Sequence, residues 1–328
     1  MTTNLYRAAD HWWVATGAPN QVARLDVAAV STRELLENKT ETASAIEAAL
    51  ARGNDRVRRE DLELQSPISA PCRVVAQMTN YVSHVRESGL NPATVPLTFF
   101  RKASGSISGP SADIRPPEHV RFLDYEVEIG LVIGAPIPVG THITPTNWTE
   151  YVAGIVTAND VSARDVQLPK TQFYESKSYP SFTPIGPALV LMDASELARF
   201  EELRLTLTVN SELRQSSEAR EMIYRPAQAL NVLAGFQRLD PGDVLLTGTP
   251  GGTALKAPPK PVEFIGSLLP AKLKWQMFFR AQSKVRRYLA DGDIIEATVR
   301  TSDGTIDAGL QRTRVTARRR SSSESRES

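Results

Sequence analysis

The segment FLDYEVEIGLVIG, residues 122–134, has the alternating pattern of a β-strand and also carries three acids. Asp124, Glu126 and Glu128 alternate with apolar side chains. Successive side chains of a strand point to opposite faces, so the pattern predicts one buried apolar face and one face with three carboxylates. Such carboxylates repel one another unless water screens them or a cation lies between them. The segment alone leaves both a solvated face and a metal site open.

Composition limits the class of protein. The chain has 328 residues, of which 41% are hydrophobic, and this suggests one large domain or two smaller ones with a sizeable core. A formal net charge of +1 gives no reason to expect binding to nucleic acid or to a membrane. The single cysteine, Cys72, fits a reducing compartment, and neither a secretory signal nor a membrane-spanning run is evident. We therefore expect a cytoplasmic globular protein.

The sequence pattern changes near residue 68. Residues 1–68 are rich in Ala, Glu and Arg with helical spacing, and we interpret them as a small N-terminal domain or arm. Residues 69–317 contain short apolar or alternating runs between Gly, Pro and Asp clusters. This predicts a β-rich α+β domain with peripheral helices. The polar, low-complexity residues 318–328 are expected to be disordered.

The individual elements follow from these patterns. The predicted strands are 74–77, 123–133, 152–157, 188–192, 203–209, 244–247 and 294–300. The predicted helices are one that starts after a cap at Ser31 or Thr32, one over 42–52 that ends at Gly53, and others near 83–87, 162–167, 225–235 and 273–289. Asp303-Gly304 predicts a hairpin.

A second acidic feature lies at the end of another predicted strand. YVAGIVTAND, residues 151–160, is apolar and ends in Asn-Asp. Asp160 is placed to cap the short helix that follows, and Arg164 and Gln167 would then share its helical face. Two strand glutamates and this aspartate make an all-oxygen ligand set, which favours Mg²⁺ or Mn²⁺. The four histidines are scattered and provide no zinc cluster.

Five motifs occur in a fixed order: DYEVEIGLVIG, GIVTANDVSARDVQ, SKSYPSFTPIGPALV, LLTGTPGG and DGDIIEATV. Together they resemble the fumarylacetoacetate hydrolase family over about residues 70–316. Upstream, NYVSHVRE resembles the His-x-x-Glu element of that family, and FFRKASGSISGP resembles its lysine-bearing segment. The resemblance implies a mixed β-sandwich roll that is usually dimeric, so we expect a homodimer.

The resemblance also implies the residues of the site. The metal ligands would be Glu126, Glu128 and Asp160, with Asp124 as a neighbour and not a ligand. The expected catalytic residues are His84, Glu87 and Lys177. The expected substrate contacts are Tyr81, Lys102, Arg164, Gln167 and Thr249.

Three of these assignments have alternative interpretations that the residues alone leave open. His84 has the pattern of a surface histidine on a polar helix, and Lys177 that of an exposed loop lysine. Thr249 has the pattern of an ordinary turn after a buried strand. The family context favours the functional interpretation of each.

The implied chemistry centres on an anionic substrate. Three carboxylates around a divalent ion leave a negative charge, which Lys177 and Arg164 would offset. We expect hydrolysis of a carbon–carbon bond in a 1,3-diketone or acylpyruvate-like acid, in the catabolism of aromatic compounds. It would proceed through a metal-bound enolate, with His84 and Glu87 activating water. The alternatives are a decarboxylase, isomerase, tautomerase or hydratase of the same family, and a metal-binding scaffold that has lost its chemistry.

The chain also departs from the family pattern. The segment 254–289 is atypical, and Pro270 lies where fumarylacetoacetate hydrolase itself has a catalytic glutamate, so a true fumarylacetoacetase is not expected. The aromatic residues of this segment are expected to bury a subunit contact or, alternatively, to wall the pocket. Met78-Thr79 stands where the family has a glycine, and this predicts an altered backbone near His84.

Overall fold

The computed structural model describes residues 2–52, 56–258, 262, 264, 266 and 268–316. The predicted helix end at Gly53 and the predicted disordered tail 318–328 lie outside these residues. Strands dominate the described part, and its helices are short.

The strands are numbered in chain order. They are β1 Thr3–Ala8, β2 His11–Ala15, β3 Gln21–Arg24, β4 Arg56–Arg58, β5 Leu64–Gln65, β6 Val74–Gln77, β7 Phe99–Lys102, β8 Ile107–Ser108, β9 Leu123–Asp124, β10 Val127–Ile133, β11 Val152–Asn159, β12 Ser162–Ala163, β13 Thr183–Pro184, β14 Leu189–Leu191, β15 Arg204–Val209, β16 Glu212–Glu218, β17 Val244–Leu246, β18 Ile294–Arg300 and β19 Asp307–Arg314.

The α-helices are likewise numbered along the described chain. They are α1 Thr32–Glu37, α2 Lys39–Ala51, α3 Val82–Glu87, α4 Arg164–Lys170, α5 Ala194–Leu197, α6 Pro226–Ala234 and α7 Ala271–Gln282.

Two packed sheets organise the chain. The larger sheet has eleven strands in the order β4-β3-β2-β1-β14-β11-β10-β17-β6-β7, with β5 paired to β1. Most of its pairs are antiparallel, whereas β17 and β6 are parallel. The smaller sheet has the order β16-β15-β18-β19 and packs against β10 and β11. This mixed, sheet-rich architecture with peripheral helices confirms the predicted fold class.

Strand β10 lies at the centre of the core. Its odd-numbered residues, among them Ile129 and Leu131, belong to the apolar cluster that also contains Leu207 and Val299 of the smaller sheet. Val132 belongs to a second cluster, which includes residues of α1 and α2. All seven residues of β10 are buried, so both faces of the strand are covered. Of the two alternatives left open for the acidic face, the solvated face does not form, because Asp124, Glu126 and Glu128 are all buried.

The predicted strand 123–133 is divided into two. β9 pairs with β12, whereas β10 pairs with β11, and Tyr125 and Glu126 lie at the break. The other six predicted strands form close to their predicted bounds. The hairpin at Asp303-Gly304 joins β18 to β19.

The helix predictions were partly right. Ser31 caps α1 in a capping box with Glu34, as predicted. The prediction that Asp160 caps a helix was wrong: α4 begins at Arg164, and Ala163 is its N-cap. The predicted helix 273–289 ends earlier, at Gln282.

The N-terminal segment contains strands that its composition did not suggest. β1 pairs with β14 of the larger sheet, and β2, β3 and β4 continue that sheet outward. The segment therefore shares a sheet with the rest of the chain, and the expected boundary at residue 68 stays a prediction. None of the described helices has the length and hydrophobicity that a membrane span requires.

Gly154 provides a test of the central strand pairing. A Cβ added there would lie 1.8 Å from the carbonyl oxygen of Val190 on β14. We expect Gly154→Ala to lower the free energy of unfolding by about 1–3 kcal/mol, because the added atom forces β11 and β14 apart. Chemical denaturation measures the change. Gly17→Ala is the matched control, because no atom lies within 4 Å of its added Cβ. Equal stability of the two variants would contradict the pairing.

Candidate functional site

Three acids meet where β10 begins and β11 ends. Oxygen atoms of Glu126, Glu128 and Asp160, here called the acid triad, all lie within 4.8 Å of one another. The three side chains are at most 5% exposed. The sequence predicts these three acids as metal ligands from separate motifs, and the fold brings them together.

Backbone pairing fixes the relative positions of two of these acids. The amide of Asp160 donates to the carbonyl oxygen of Glu126 (2.8 Å). The amide of Glu126 in turn donates to the side-chain oxygen of Asn159 (2.9 Å). Because the ladder between β10 and β11 continues into these bonds, the spacing of the acids is set by strand register and not by flexible loops.

Two buried lysines neutralise part of the triad. Lys177 Nζ donates to Glu126 Oε2 (2.5 Å) and to Asp160 Oδ2 (2.6 Å). Lys102 donates to the other oxygen of Asp160 and to the carbonyl oxygen of Phe182 (3.0 Å). Burial acts to lower the pKa of Lys177, but the charges of Asp160 and Glu126 outweigh burial and raise it. Lys177 is therefore a stable cation and a proton donor in hydrogen bonds.

Arg164 organises the other side of Glu126. Its guanidinium donates to Glu126 Oε1 (2.5 Å), to Asp124 Oδ2 (2.9 Å) and to Gln167 Oε1 (2.8 Å). Asp124 also accepts the backbone amides of Ala254 (2.8 Å) and the following residue. Asp124 therefore positions Arg164 and the start of the segment 254–289, in agreement with its expected place outside the ligand set.

Glu128 shows that the site fits a cation. Its carboxylate accepts the amide of Gly248 (2.8 Å), and within the described chain no ammonium or guanidinium group forms an ion pair with it. Burial and the charges of Asp160 and Glu126 raise the pKa of Glu128 well above its usual range. A bound cation would remove this penalty. Each carboxylate oxygen has two lone pairs, so oxygens that accept from lysine can still bind a metal.

The charges of the cluster agree with this conclusion. With all of these groups ionised, four buried carboxylates, including Asp124, face three buried cationic side chains, which leaves one negative charge in excess. A divalent ion would change this to one positive charge in excess. The site would then favour an anionic substrate.

Glu126 and Glu128 of the triad line a cavity of about 480 Å³. Several predicted site residues line it, and they are His84, Glu87, Glu126, Glu128, Arg164, Gln167, Lys177 and Thr249. Asp160, Lys102 and Tyr81 do not line it. Lys102 lies behind Asp160, and Tyr81 is fully buried with a hydroxyl that finds no partner among the described residues.

The predicted dyad of His84 and Glu87 does not form a hydrogen bond in the described structure. Glu87 Oε2 instead accepts the amide of Gly252 (2.9 Å) and lies 3.5 Å from Lys256 Nζ. His84 is half-buried, and its Nδ1 has no partner in the described chain. Burial lowers the pKa of His84, so its ring is neutral at neutral pH.

The backbone before Asn80 keeps the conformation that a glycine would adopt. Thr79, which stands in the position of the expected glycine, has a φ of 46° in the left-handed region. Asn80 then donates to the carbonyl oxygen of Thr247 (2.9 Å), which ties this turn to the end of β17. At the Met78-Thr79 position, Thr79 is therefore a residue with backbone strain.

Thr249 has a structural partner that the sequence did not reveal. Its hydroxyl donates to the carbonyl oxygen of Val127 (2.9 Å) and accepts from Gln215 Nε2 (2.9 Å). Gln215 is the buried residue of β16, whose other residues are exposed or partly buried. No local sequence pattern distinguishes Gln215 from them. Phe100 and Phe173 of the cavity wall were also missed.

Comparison with known proteins now identifies the family. The sequence profile described as "Fumarylacetoacetate (FAA) hydrolase C-terminal" matches residues 73–316. This chain belongs to the fumarylacetoacetate hydrolase family. The match includes every residue of the acid triad and its three cationic neighbours.

Curated relatives within the fumarylacetoacetate hydrolase family include mitochondrial oxaloacetate tautomerases. The chain is 35% identical to FAHD2B of Bos taurus over 229 residues, which are 69% of this chain and 71% of the relative. It is 34% identical to FAHD2A of Homo sapiens over 229 residues, again 69% and 71% of the two chains. The cytoplasmic location expected for this chain stays a prediction.

Solved structures share the family fold. A probable 2-hydroxyhepta-2,4-diene-1,7-dioate isomerase from Mycobacterium abscessus has a TM-score of 0.73 and 30% identity, covering 97% of this chain and 100% of its own. Fumarylacetoacetate hydrolase from Exiguobacterium antarcticum has a TM-score of 0.73 and 26% identity, covering 96% and 100%. The family thus includes proteins named as isomerases, tautomerases and hydrolases.

Metal binding at the acid triad should be measurable as an increase in the stability of the folded protein. Mn²⁺ or Mg²⁺ at about one hundred times its Kd should stabilise the protein by about 2.7 kcal/mol. Glu128→Gln should abolish this stabilisation without lowering the melting temperature in chelator, because it replaces a buried carboxyl group that forms no ion pair within the described chain by an uncharged amide of similar size. Calorimetric melting with and without metal measures both quantities. Glu41→Gln, on the exposed face of α2, is the control. A metal-dependent shift that survives in Glu128→Gln would place the ion elsewhere.

Proposed function

We propose that this chain is a divalent-metal-dependent tautomerase or isomerase of 2-oxo acids, which moves a proton between enol and keto forms. The observation that carries the proposal is the acid triad, buried beside a cavity whose histidine has no carboxylate partner among the described residues. Proton transfer between carbon and oxygen needs no activated water, whereas hydrolysis does. The names of the relatives, tautomerases and an isomerase, agree with this choice.

Each residue has a role that follows from its contacts. The acid triad would hold Mg²⁺ or Mn²⁺, which supplies charge stabilisation when a 2-oxo acid enolises. Lys177, hydrogen-bonded to Glu126 and Asp160, keeps these oxygens in place and presents a positive charge at the cavity wall. Arg164 and Gln167 line the same cavity and provide N–H donors for a substrate carboxylate.

His84 is the candidate for proton transfer. It lines the cavity, and burial keeps its ring uncharged, so it can accept a proton from the substrate and return it to another atom. Glu87 lies on the same helix α3 but accepts the amide of Gly252 instead of contacting this ring. We assign to Glu87 the role of positioning the 250–252 turn.

Hydrolysis of an acylpyruvate-like acid is the second candidate function. Its support is that His84 and Glu87 both line the cavity, so a shift of the Glu87 side chain would bring the dyad within reach of a water. The homodimer and the choice between Mg²⁺ and Mn²⁺ belong to the proposal as expectations from the family. A role in the catabolism of aromatic compounds is a further expectation from the family, whereas the cytoplasmic location is an expectation from composition alone.

A pair of substitutions distinguishes the two reactions. With Mn²⁺ present, His84→Gln should slow enol–keto exchange of oxaloacetate by about 100-fold or more, which is the usual contribution of a general acid–base group. Glu87→Gln should change the same rate by less than about threefold, because a neutral oxygen can still accept the Gly252 amide. The decay of enol absorbance measures the rate.

The controls decide the reaction class. His142→Gln alters an exposed histidine and should leave the exchange rate unchanged. Release of pyruvate from an acylpyruvate is followed in parallel. If the unaltered protein cleaves the acylpyruvate but does not speed oxaloacetate exchange, and Glu87→Gln stops the cleavage, the protein is a hydrolase and the tautomerase proposal is wrong.

A further inference from the structure

Much of the cavity lining is apolar. Beside the charged and polar groups, the cavity is lined by large apolar side chains. These are Phe100, Leu168, Phe173, Leu255, Trp275 and Phe278.

Two aromatic pairs belong to this lining, and the centroid of the Phe100 ring lies 5.1 Å from Lys177 Nζ, beside the acid triad. Phe100 and Phe173 have ring centroids 5.1 Å apart, and Trp275 and Phe278 lie edge to face at 5.7 Å with an interplanar angle of 87°. Trp275 and Phe278, here called the aromatic wall, are only partly buried although both rings are apolar. Exposed aromatic area beside a charged centre is costly in water, and a ligand that covers it would recover that free energy.

The aromatic wall is attached to the metal-binding strand. Phe279, also on helix α7, packs on Phe122 with ring centroids 5.0 Å apart. Tyr288, which follows the helix, contacts Phe122 with ring centroids 5.1 Å apart. Phe122 immediately precedes β9, which leads to Glu126. The wall therefore has a defined position relative to the acid triad and forms part of one cavity with it.

The size of the cavity and its charged groups indicate an occupant larger than a very small molecule. A volume of about 480 Å³ is in the range that holds drug-sized ligands. A four-carbon diacid would occupy the charged end and leave the aromatic rings uncovered. The rim lysines are already engaged, Lys256 with Glu87 at 3.5 Å and Lys274 with the Trp275 ring at 5.0 Å. An apolar tail therefore matches the part of the cavity lined by Trp275 and Phe278 better than a second carboxylate does.

We propose that the preferred substrate is a 2-oxo acid with a bulky apolar, aryl-type tail. The 2-oxo acid end lies at the acid triad, and the tail lies against Trp275 and Phe278. This inference rests on the proposed function for its reaction, in which the enol hydroxyl loses a proton and the neighbouring carbon gains one. It assigns to α7, within the atypical segment, the role of selecting substrates.

Phenylpyruvate and oxaloacetate are the probes that test this inference. With Mn²⁺ present, the full-length protein should exchange the enol of phenylpyruvate with a higher kcat/KM than that of oxaloacetate. Trp275→Ala should lower kcat/KM for phenylpyruvate by about tenfold or more, mainly through KM, because it removes apolar contact area. The same variant should change the value for oxaloacetate by less than about threefold. Met277→Ala is the matched control, because Met277 lies on the same helix but is 55% exposed and does not line the cavity.

The outcomes separate the inference from the proposed function. If oxaloacetate is exchanged but phenylpyruvate is not preferred, or if Trp275→Ala affects both equally, the tail site is wrong and the tautomerase stands. If neither acid is exchanged, the proposed function is wrong, and calorimetric binding of phenylpyruvate in Mn²⁺ decides the tail site. Binding that Trp275→Ala weakens about tenfold would support it; absence of binding would overturn it.

Discussion

Repulsion among buried carboxylates is the constraint on which this structure depends. Burying one unpaired charge costs several kcal/mol in a real protein, and this chain buries four carboxylates in one cluster. Lys177 bridges Glu126 and Asp160, and Arg164 joins Glu126 to Asp124. These contacts neutralise most of the charge, but within the described part of the chain Glu128 forms no ion pair with a cationic side chain, so a further cation would relieve the remaining repulsion.

The fold supplies the rigidity that this cluster needs. The ladder between β10 and β11 is covered on one side by the smaller sheet and on the other by helices α1 and α2, so its register is fixed by apolar packing. The break after β9 turns Asp124 away from the triad and toward the segment 254–289. The segment from Phe122 to Glu128 therefore contacts helix α7 at one end and contributes two acids of the triad at the other.

The sequence predicted the parts of this arrangement that are local or carried by motifs. The alternating acids and the Asn-Asp strand end predicted the acid triad, because residues at strand ends have few positions to occupy. The N-terminal strands were not predicted, because their first hairpin turns at Ala9 and Asp10. Both residues have a positive φ, and the turn lacks the usual glycine. The contact of Glu87 with Gly252 also escaped, since residues far apart in sequence must fold together before their hydrogen bonds can be assigned.

Anomalous diffraction from crystals grown with Mn²⁺ and oxalate, an enolate-like chelator, is the most direct measurement of the central claim. The account predicts one manganese peak bound by oxygens of Glu126, Glu128 and Asp160, with Lys177 still in contact with the ligand carboxylates and oxalate on the cavity side. Well-ordered crystals in which the three acids surround no manganese, or in which Glu128 binds a cationic side chain instead, would contradict it.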